Sequence, residues 1–140
     1  MIESNPDSAA GSDPRRLRAL LARANELAAE HRLHSVVVGI SGFLGDRLFP
    51  EFVDYVGSAL RIDDAIFRMT RERAVLLLTD VDLDSARAVM ERVRGDFCDR
   101  FPTARDPAIS LGYFEVDPER GEAALKQVLP GIFEASARAH

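Results

Sequence analysis

The stretch RIDDAIFRMTRERAVLLLT, residues 61–79, decides how this chain folds. Two apolar runs, Ala65–Met69 and Ala74–Thr79, stand on either side of the charged connection Thr70-Arg71-Glu72-Arg73. Short apolar runs bounded by polar turns read as strands. Four residues suffice to turn a hairpin, whereas a parallel crossover needs a dozen or more. An antiparallel pair is therefore expected here, and the rest of the chain is placed around it.

Downstream, DLDSARAVMERVRGDFCDRF (residues 82–101) has the 3.6-residue period of a helix. Ala86, Val89, Met90, Val93 and Phe97 form its apolar face, and Asp82 or Asp84 caps its start. Upstream, Phe49–Leu60 makes a helix with Phe49, Phe52, Val53, Val56 and Leu60 inward, preceded by a short buried strand over Val36–Ile40. Ile109–Val116 reads as a fourth strand. A closing helix is expected from residue 118 onward, bent near Pro130 and Gly131. Asp13-Pro14 signals the start of a first helix, with Leu17, Leu20, Leu21, Ala24, Leu27 and Ala28 on one stripe. Residues 1–13, MIESNPDSAAGSD, are small and polar and read as a disordered tail, leaving 14–140 as one domain.

After the first helix the order is β-α-β-β-α-β-α. This is an α+β chain with a ferredoxin-like βαββαβ core: an antiparallel sheet with helices on one face, extended by a helix at each terminus. The fold hosts many functions, so the site must decide among them.

Bulk properties narrow the field. A net charge of −5 argues against sequence-independent binding of nucleic acid or an anionic membrane. A single cysteine, Cys98, cannot close an internal disulfide, which suits a reducing cytoplasm. No apolar run approaches a membrane span, and the N-terminus lacks a signal-peptide pattern.

With its elements in this order, the chain resembles the GGDEF domain of bacterial diguanylate cyclases. The resemblance runs from about Pro14 to the C-terminus. It is clearest over Leu60–Arg94, LRIDDAIFRMTRERAVLLLTDVDLDSARAVMERVR, and is supported by ISLGYFEVDP and LPGIFEASARA further on. It implies a nucleotide-cyclase-like fold, and it also shows what is missing. Where the family has Gly-Gly-Asp/Glu-Glu-Phe, this chain has Thr70, Arg71, Glu72, Arg73 and Ala74. Glycines there let the backbone approach nucleotide phosphates, and the carboxylates hold divalent metal. The family's Asp-x-Asp-x-Phe-Lys at the end of the first strand is here Gly39-Ile40-Ser41-Gly42-Phe43-Leu44. The guanine-holding Asn-Asp and Gly-His-x-x-Gly-Asp stretch is deleted. The lysine of the closing helix is absent from Val128-Leu129-Pro130-Gly131-Ile132-Phe133-Glu134-Ala135-Ser136. Phosphoryl transfer rests on positioned metal and cations, so no cyclase activity is expected.

One part of the family's machinery is retained. Its product-binding inhibitory site is Arg-x-x-Asp before the signature turn, with an arginine late in the following helix. Here these are Arg61-Ile62-Asp63-Asp64 and Arg92. Arginine forks suit phosphate oxygens or the acceptor edge of guanine, and a carboxylate accepts from guanine N–H donors. The resemblance thus implies a regulatory domain that binds cyclic di-GMP through Arg61, Asp64 and Arg92 and acts on a protein partner in trans. Two chains bridged by an intercalated ligand pair, a homodimer, would be in keeping with the family. The alternative is a docking module that needs no ligand. No cofactor, metal, nucleic acid or membrane is expected as a partner.

Three weaker signals have ordinary readings beside them. Gly39-x-x-Gly42-x-x-Gly45 after a strand imitates a dinucleotide-binding loop, a third and weaker reading, but a Rossmann-like domain needs further parallel βα units. Asp80-x-Asp82-x-Asp84 imitates a calcium loop, yet position six is Ser85 rather than glycine, and helix capping explains the carboxylates. His31, His34 and His140 do not suggest a metal site or acid–base pair, and Cys98 reads as a partly buried, inert thiol.

Overall fold

A computed structural model of the chain describes residues 14–42, 48–61, 64–70, 72–101 and 109–138. The expected tail at 1–13, and Phe43, Leu44, Gly45, Ile62, Asp63, Arg71 and His140, lie outside the described residues. The elements are α1 (Pro14–His31), β1 (Ser35–Ser41), α2 (Leu48–Ala59), β2 (Ala65–Arg68), β3 (Arg73–Thr79), α3 (Leu83–Arg100), β4 (Ser110–Val116) and α4 (Leu125–Arg138). The four strands form one sheet in the order β2-β3-β1-β4, with every neighbouring pair antiparallel. The expected α+β, ferredoxin-like core is therefore present, and β2 and β3 are the expected hairpin. Their register pairs Arg68 with Ala74, and both Met69 and Thr70 donate backbone N–H bonds to the Arg73 carbonyl.

The central strands β1 and β3 are buried almost throughout, which is why Val36–Ile40 and Ala74–Leu78 are nearly unbroken apolar runs. A strand covered on both faces has no solvent side on which to place polar residues. The coverage is more complete than a ferredoxin-like core requires. On one face, Val36, Val38, Ile40, Leu76 and Leu78 pack against Phe49, Phe52 and Val56 of α2 and Met90 and Phe97 of α3. On the other, Val37, Val75 and Leu77 meet Leu17, Leu21 and Ala24 of α1 and Val128, Ile132 and Phe133 of α4. The expected extra helices at the two termini thus form a second layer on the face of the sheet opposite α2 and α3.

How α4 docks follows from two glycines. Gly39 of β1 and Gly112 of β4 are register partners, and Ile132 lies over both. A Cβ at Gly112 would sit 1.9 Å from the Ile132 carbonyl oxygen, and one at Gly39 would sit 2.8 Å from the Ile132 Cβ. Close approach of helix to sheet requires the missing side chains. The helix itself starts at Leu125, later than its sequence pattern suggests. Asp117 holds the preceding residues in a turn, its Oδ1 accepting from Glu119 N at 2.9 Å and its carbonyl from Arg120 N at 3.0 Å. Asn25 of α1 clamps both backbone groups of Ala123, at 2.8 and 2.9 Å, just before the helix begins.

Candidate ligand site at one end of the sheet

The Arg-x-x-Asp segment lies where α2 gives way to β2. Asp64 N donates to the Arg61 carbonyl at 3.0 Å, and Arg61 N donates back to Asp64 Oδ2 at 3.2 Å, closing a tight turn. Strand β2 is short: its pairing with β3 stops at Ala65 opposite Leu77, which leaves Thr79 without a backbone partner on that side. The motif supplies one. Thr79 N donates to Asp64 Oδ1 at 3.0 Å, Thr79 Oγ1 to the same oxygen at 3.3 Å, and Arg61 Nη2 donates to the Thr79 carbonyl. Two side chains thereby satisfy both main-chain groups at the end of a buried strand, which would be costly left unpaired.

The two residues are placed very differently. The Asp64 side chain is only 3% exposed, while that of Arg61 is 58% exposed. With Arg61 N and Nε on Oδ2 and the two Thr79 donors on Oδ1, the Asp64 carboxylate has its roughly four lone-pair positions in use. Arg61 is not exhausted. Nε bonds Asp64 at 3.3 Å and Nη2 meets Thr79, but Nη1 has no acceptor among the described residues. The arrangement offers solvent a fixed, cationic N–H edge. Arg92 stands on the exposed side of α3. Among the described residues, no hydrogen bond or ion pair joins it to Arg61 or Asp64.

At the opposite end of the sheet is the turn that the resemblance aligns with the family's signature. Thr70 Oγ1 accepts from Glu72 N at 3.3 Å, and the Glu72 carbonyl accepts from Gly42 N at 2.8 Å, tying the turn to the end of β1. Arg73 lies over the Phe133 ring, 4.9 Å from its centroid, and Ala74 is buried. Gly39, the position that the resemblance equates with the first metal-holding carboxylate, lies inside β1 under Ile132. It is no part of a phosphate-cradling loop either, which removes the first glycine of the dinucleotide pattern.

Other expected residues fall where capping and packing put them. Asp82 is the N-cap of α3, its side chain accepting from Ser85 N at 2.8 Å. That bond holds its carboxyl below the usual aspartate range, with a smaller contribution from His34. Asp80 ends β3 with φ at 56°, and Cys98 is partly buried. Burial pushes the Tyr113 hydroxyl above its ordinary range, with Glu91 adding to the effect and Arg87 over its ring opposing it.

Sequence reasoning missed one cluster. His34 Nδ1 is 2.9 Å from Glu115 Oε2, and Asp117 lies beside them. The pair is 81 residues apart in the chain, so no spacing rule could have found it. A signal did exist: antiparallel pairing of the first and last strands brings the residues just before one against those ending the other.

No protein-family model matches the chain. Over 51 residues it is 37% identical to the probable diguanylate cyclase DgcT of Escherichia coli K12, a match that covers 36% of this chain and only 11% of that protein. Among solved structures, diguanylate cyclase SiaD of Pseudomonas aeruginosa, in complex with its activator SiaC, superposes with a TM-score of 0.70 at 23% identity. That superposition covers 91% of this chain and 57% of SiaD. The GGDEF domain of DgcB from Caulobacter crescentus, in complex with c-di-GMP, gives 0.72 at 14% identity over 99% of this chain and 92% of that one. The GGDEF domain of FimX from P. aeruginosa gives 0.69 at 12% identity, covering 93% and 95%. Among the described residues no helix is long and apolar enough to cross a membrane.

Proposed function

We propose, from the premise that this chain has the fold of a GGDEF domain, that it is a cyclic di-GMP receptor without cyclase activity. The observation that carries the reading is Arg61: its backbone is fixed, its Nε and Nη2 are held by Asp64 and Thr79, and the rest of its guanidinium faces solvent. A preorganised arginine edge suits a phosphate or the Hoogsteen edge of guanine. Arg92 supplies the second cation, and Asp64 orients the first. Solved relatives bind this ligand: the DgcB domain was crystallised with c-di-GMP, and so was PelD from P. aeruginosa PA14.

Inactivity as a cyclase is argued from the other end of the sheet. A carboxylate at position 39 has no room under Ile132, and Arg73 brings a cation where the resemblance expects a metal-holding acid. Purified protein is expected to show no magnesium-dependent consumption of GTP.

Calorimetric titration with cyclic di-GMP, with GTP as the control ligand, tests the reading. Saturable binding at about micromolar or tighter, near −8 kcal/mol, is expected for the dinucleotide alone. Arg61→Ala should abolish it while leaving the fold intact. A flat wild-type trace would overturn the proposal. It would favour a second reading, a docking module, to which Asp64 already lends weight because its acceptor positions are spent inside the protein. SiaD was solved with a protein activator.

A further inference from the structure

We propose that His34, Glu115 and Asp117 form a binding site for a divalent transition-metal ion of the zinc class. The donors come from two distant places in the sequence, His34 and the neighbouring Glu115 and Asp117, and the sheet fixes them together. His34 immediately precedes β1, Glu115 lies in β4, and Asp117 follows β4, while the register pairs Ser35 with Val116 and Val36 with Glu115. One donor atom from each residue lies within 4.8 Å of the other two, and the closest pair, His34 Nδ1 and Glu115 Oε2, is at 2.9 Å. Zinc bonds of about 2.0–2.2 Å to nitrogen and oxygen place tetrahedral donors roughly 3–4 Å apart. Small side-chain rotations therefore suffice.

The donor set selects the class of ion. Calcium and magnesium prefer oxygen ligands throughout, whereas an imidazole with two carboxylates suits zinc and its first-row neighbours. Three protein ligands leave a fourth position for water or an external group. One of the donors is also held from outside the cluster. Asp117 is oriented by its bond from Glu119 N. Ligand orientation by such outer bonds tunes metal affinity. The nearby Arg32 is drawn off by Glu119 at 3.5 Å, so its charge is partly offset. An ion pair between His34 and Glu115 accounts for two of the three residues, and the turn bond to Glu119 N occupies only Oδ1 of Asp117, leaving its other carboxylate oxygen to face a cation. This site lies at the opposite end of the sheet from Thr70–Ala74, so it is separate from the metal position that the GGDEF resemblance describes.

The test uses the full chain without a purification tag, stripped with chelator. Zinc is titrated in competition with a chromophoric chelator, cobalt is followed by its visible spectrum, and the histidine rings are followed by nitrogen-edited NMR. One equivalent should bind at about micromolar or tighter, moving the His34 ring resonances and giving a four-coordinate cobalt spectrum. His34→Gln and Asp117→Asn should each weaken binding at least about tenfold, with circular dichroism checking the fold. His31→Gln, His140→Gln and Cys98→Ser should leave binding unchanged. Failure of the wild type to bind one equivalent, or ring shifts confined to His31 or His140, would overturn the proposal whether or not any variant folds.

Discussion

The two ends of the sheet have fared differently. At the hairpin end, where Ser41, Arg73 and Ser110 are register neighbours, the polar groups are turned inward on the protein. The Glu72 carbonyl takes Gly42 N, Thr70 takes Glu72 N, and Arg73 lies against Phe133. At the other end, where Ser35, Thr79 and Val116 are neighbours, charged groups gather from the α2–β2 connection, the residue before β1, the end of β4 and the start of α3. At one end the polar groups are bound within the protein, and at the other the Arg61 guanidinium is more than half exposed. The same hairpin joins them, since Arg61 and the signature turn lie before and after a strand of only four residues. The two ends can vary separately, because the β3 ladder and the two cores hold the sheet between them.

The sharpest way to break this comparison is Asp64→Ala. It leaves Thr79 N and Oγ1 buried without acceptors, and an unsatisfied buried group costs about 1–3 kcal/mol. A loss of about 2–3 kcal/mol in denaturant unfolding is expected. A loss near zero would mean that the staple contributes little and that the end is held by packing alone. Next is Arg61→Ala. Its ion pair is more than half exposed and contributes little, but the Thr79 carbonyl loses its donor, so stability should fall by about 1 kcal/mol, less than for Asp64→Ala, while dinucleotide binding disappears. Equal losses of stability for the two variants would erase the division of labour between a buried pin and an exposed reader.

Arg73→Ala sharpens the contrast from the hairpin end. Removing an exposed cation–π contact costs about 0.5–1 kcal/mol, and cyclic di-GMP binding measured by calorimetry should be unaltered. The smallest effect is expected from Asp82. Its carboxyl is depressed in the folded protein by the Ser85 bond, so its contribution to α3 is complete above the ordinary aspartate range. It is lost as pH falls through the lowered folded value. Thermal midpoints of wild type and Asp82→Ala should differ slightly at neutral pH and converge under strongly acidic conditions.

Much of the fold was legible because its signals are local. A four-residue connection dictates an antiparallel pair, and the periods around it assign α2 and α3 without reference to distant residues. Asp82 was readable as a cap for the same reason. What escaped depends on residues distant in sequence. The coverage of the second face rests on Ile132 entering the space left by Gly39 and Gly112, and one of those glycines looked like part of a phosphate loop. Asn25 clamping Ala123, and His34 meeting Glu115, are consequences of which strand ends come together, and no periodicity records that. Within the candidate site, the sequence placed Arg61 and Asp64 in the same helix-to-strand connection but could not tell which is exposed and which buried. Exposure separates them, and exposure depends on where β2 ends.

The pinning of Thr79 by Asp64 has an evolutionary corollary. In the proposed receptor, Asp64 both orients Arg61 and holds the strand beneath it, so relaxing the first demand leaves the second in force. In any lineage that stopped binding the dinucleotide, Arg61 would drift first and Asp64 would persist as a remnant. For a sheet built this way, the arginine is the more faithful witness to a living receptor, and the aspartate alone testifies only to the fold.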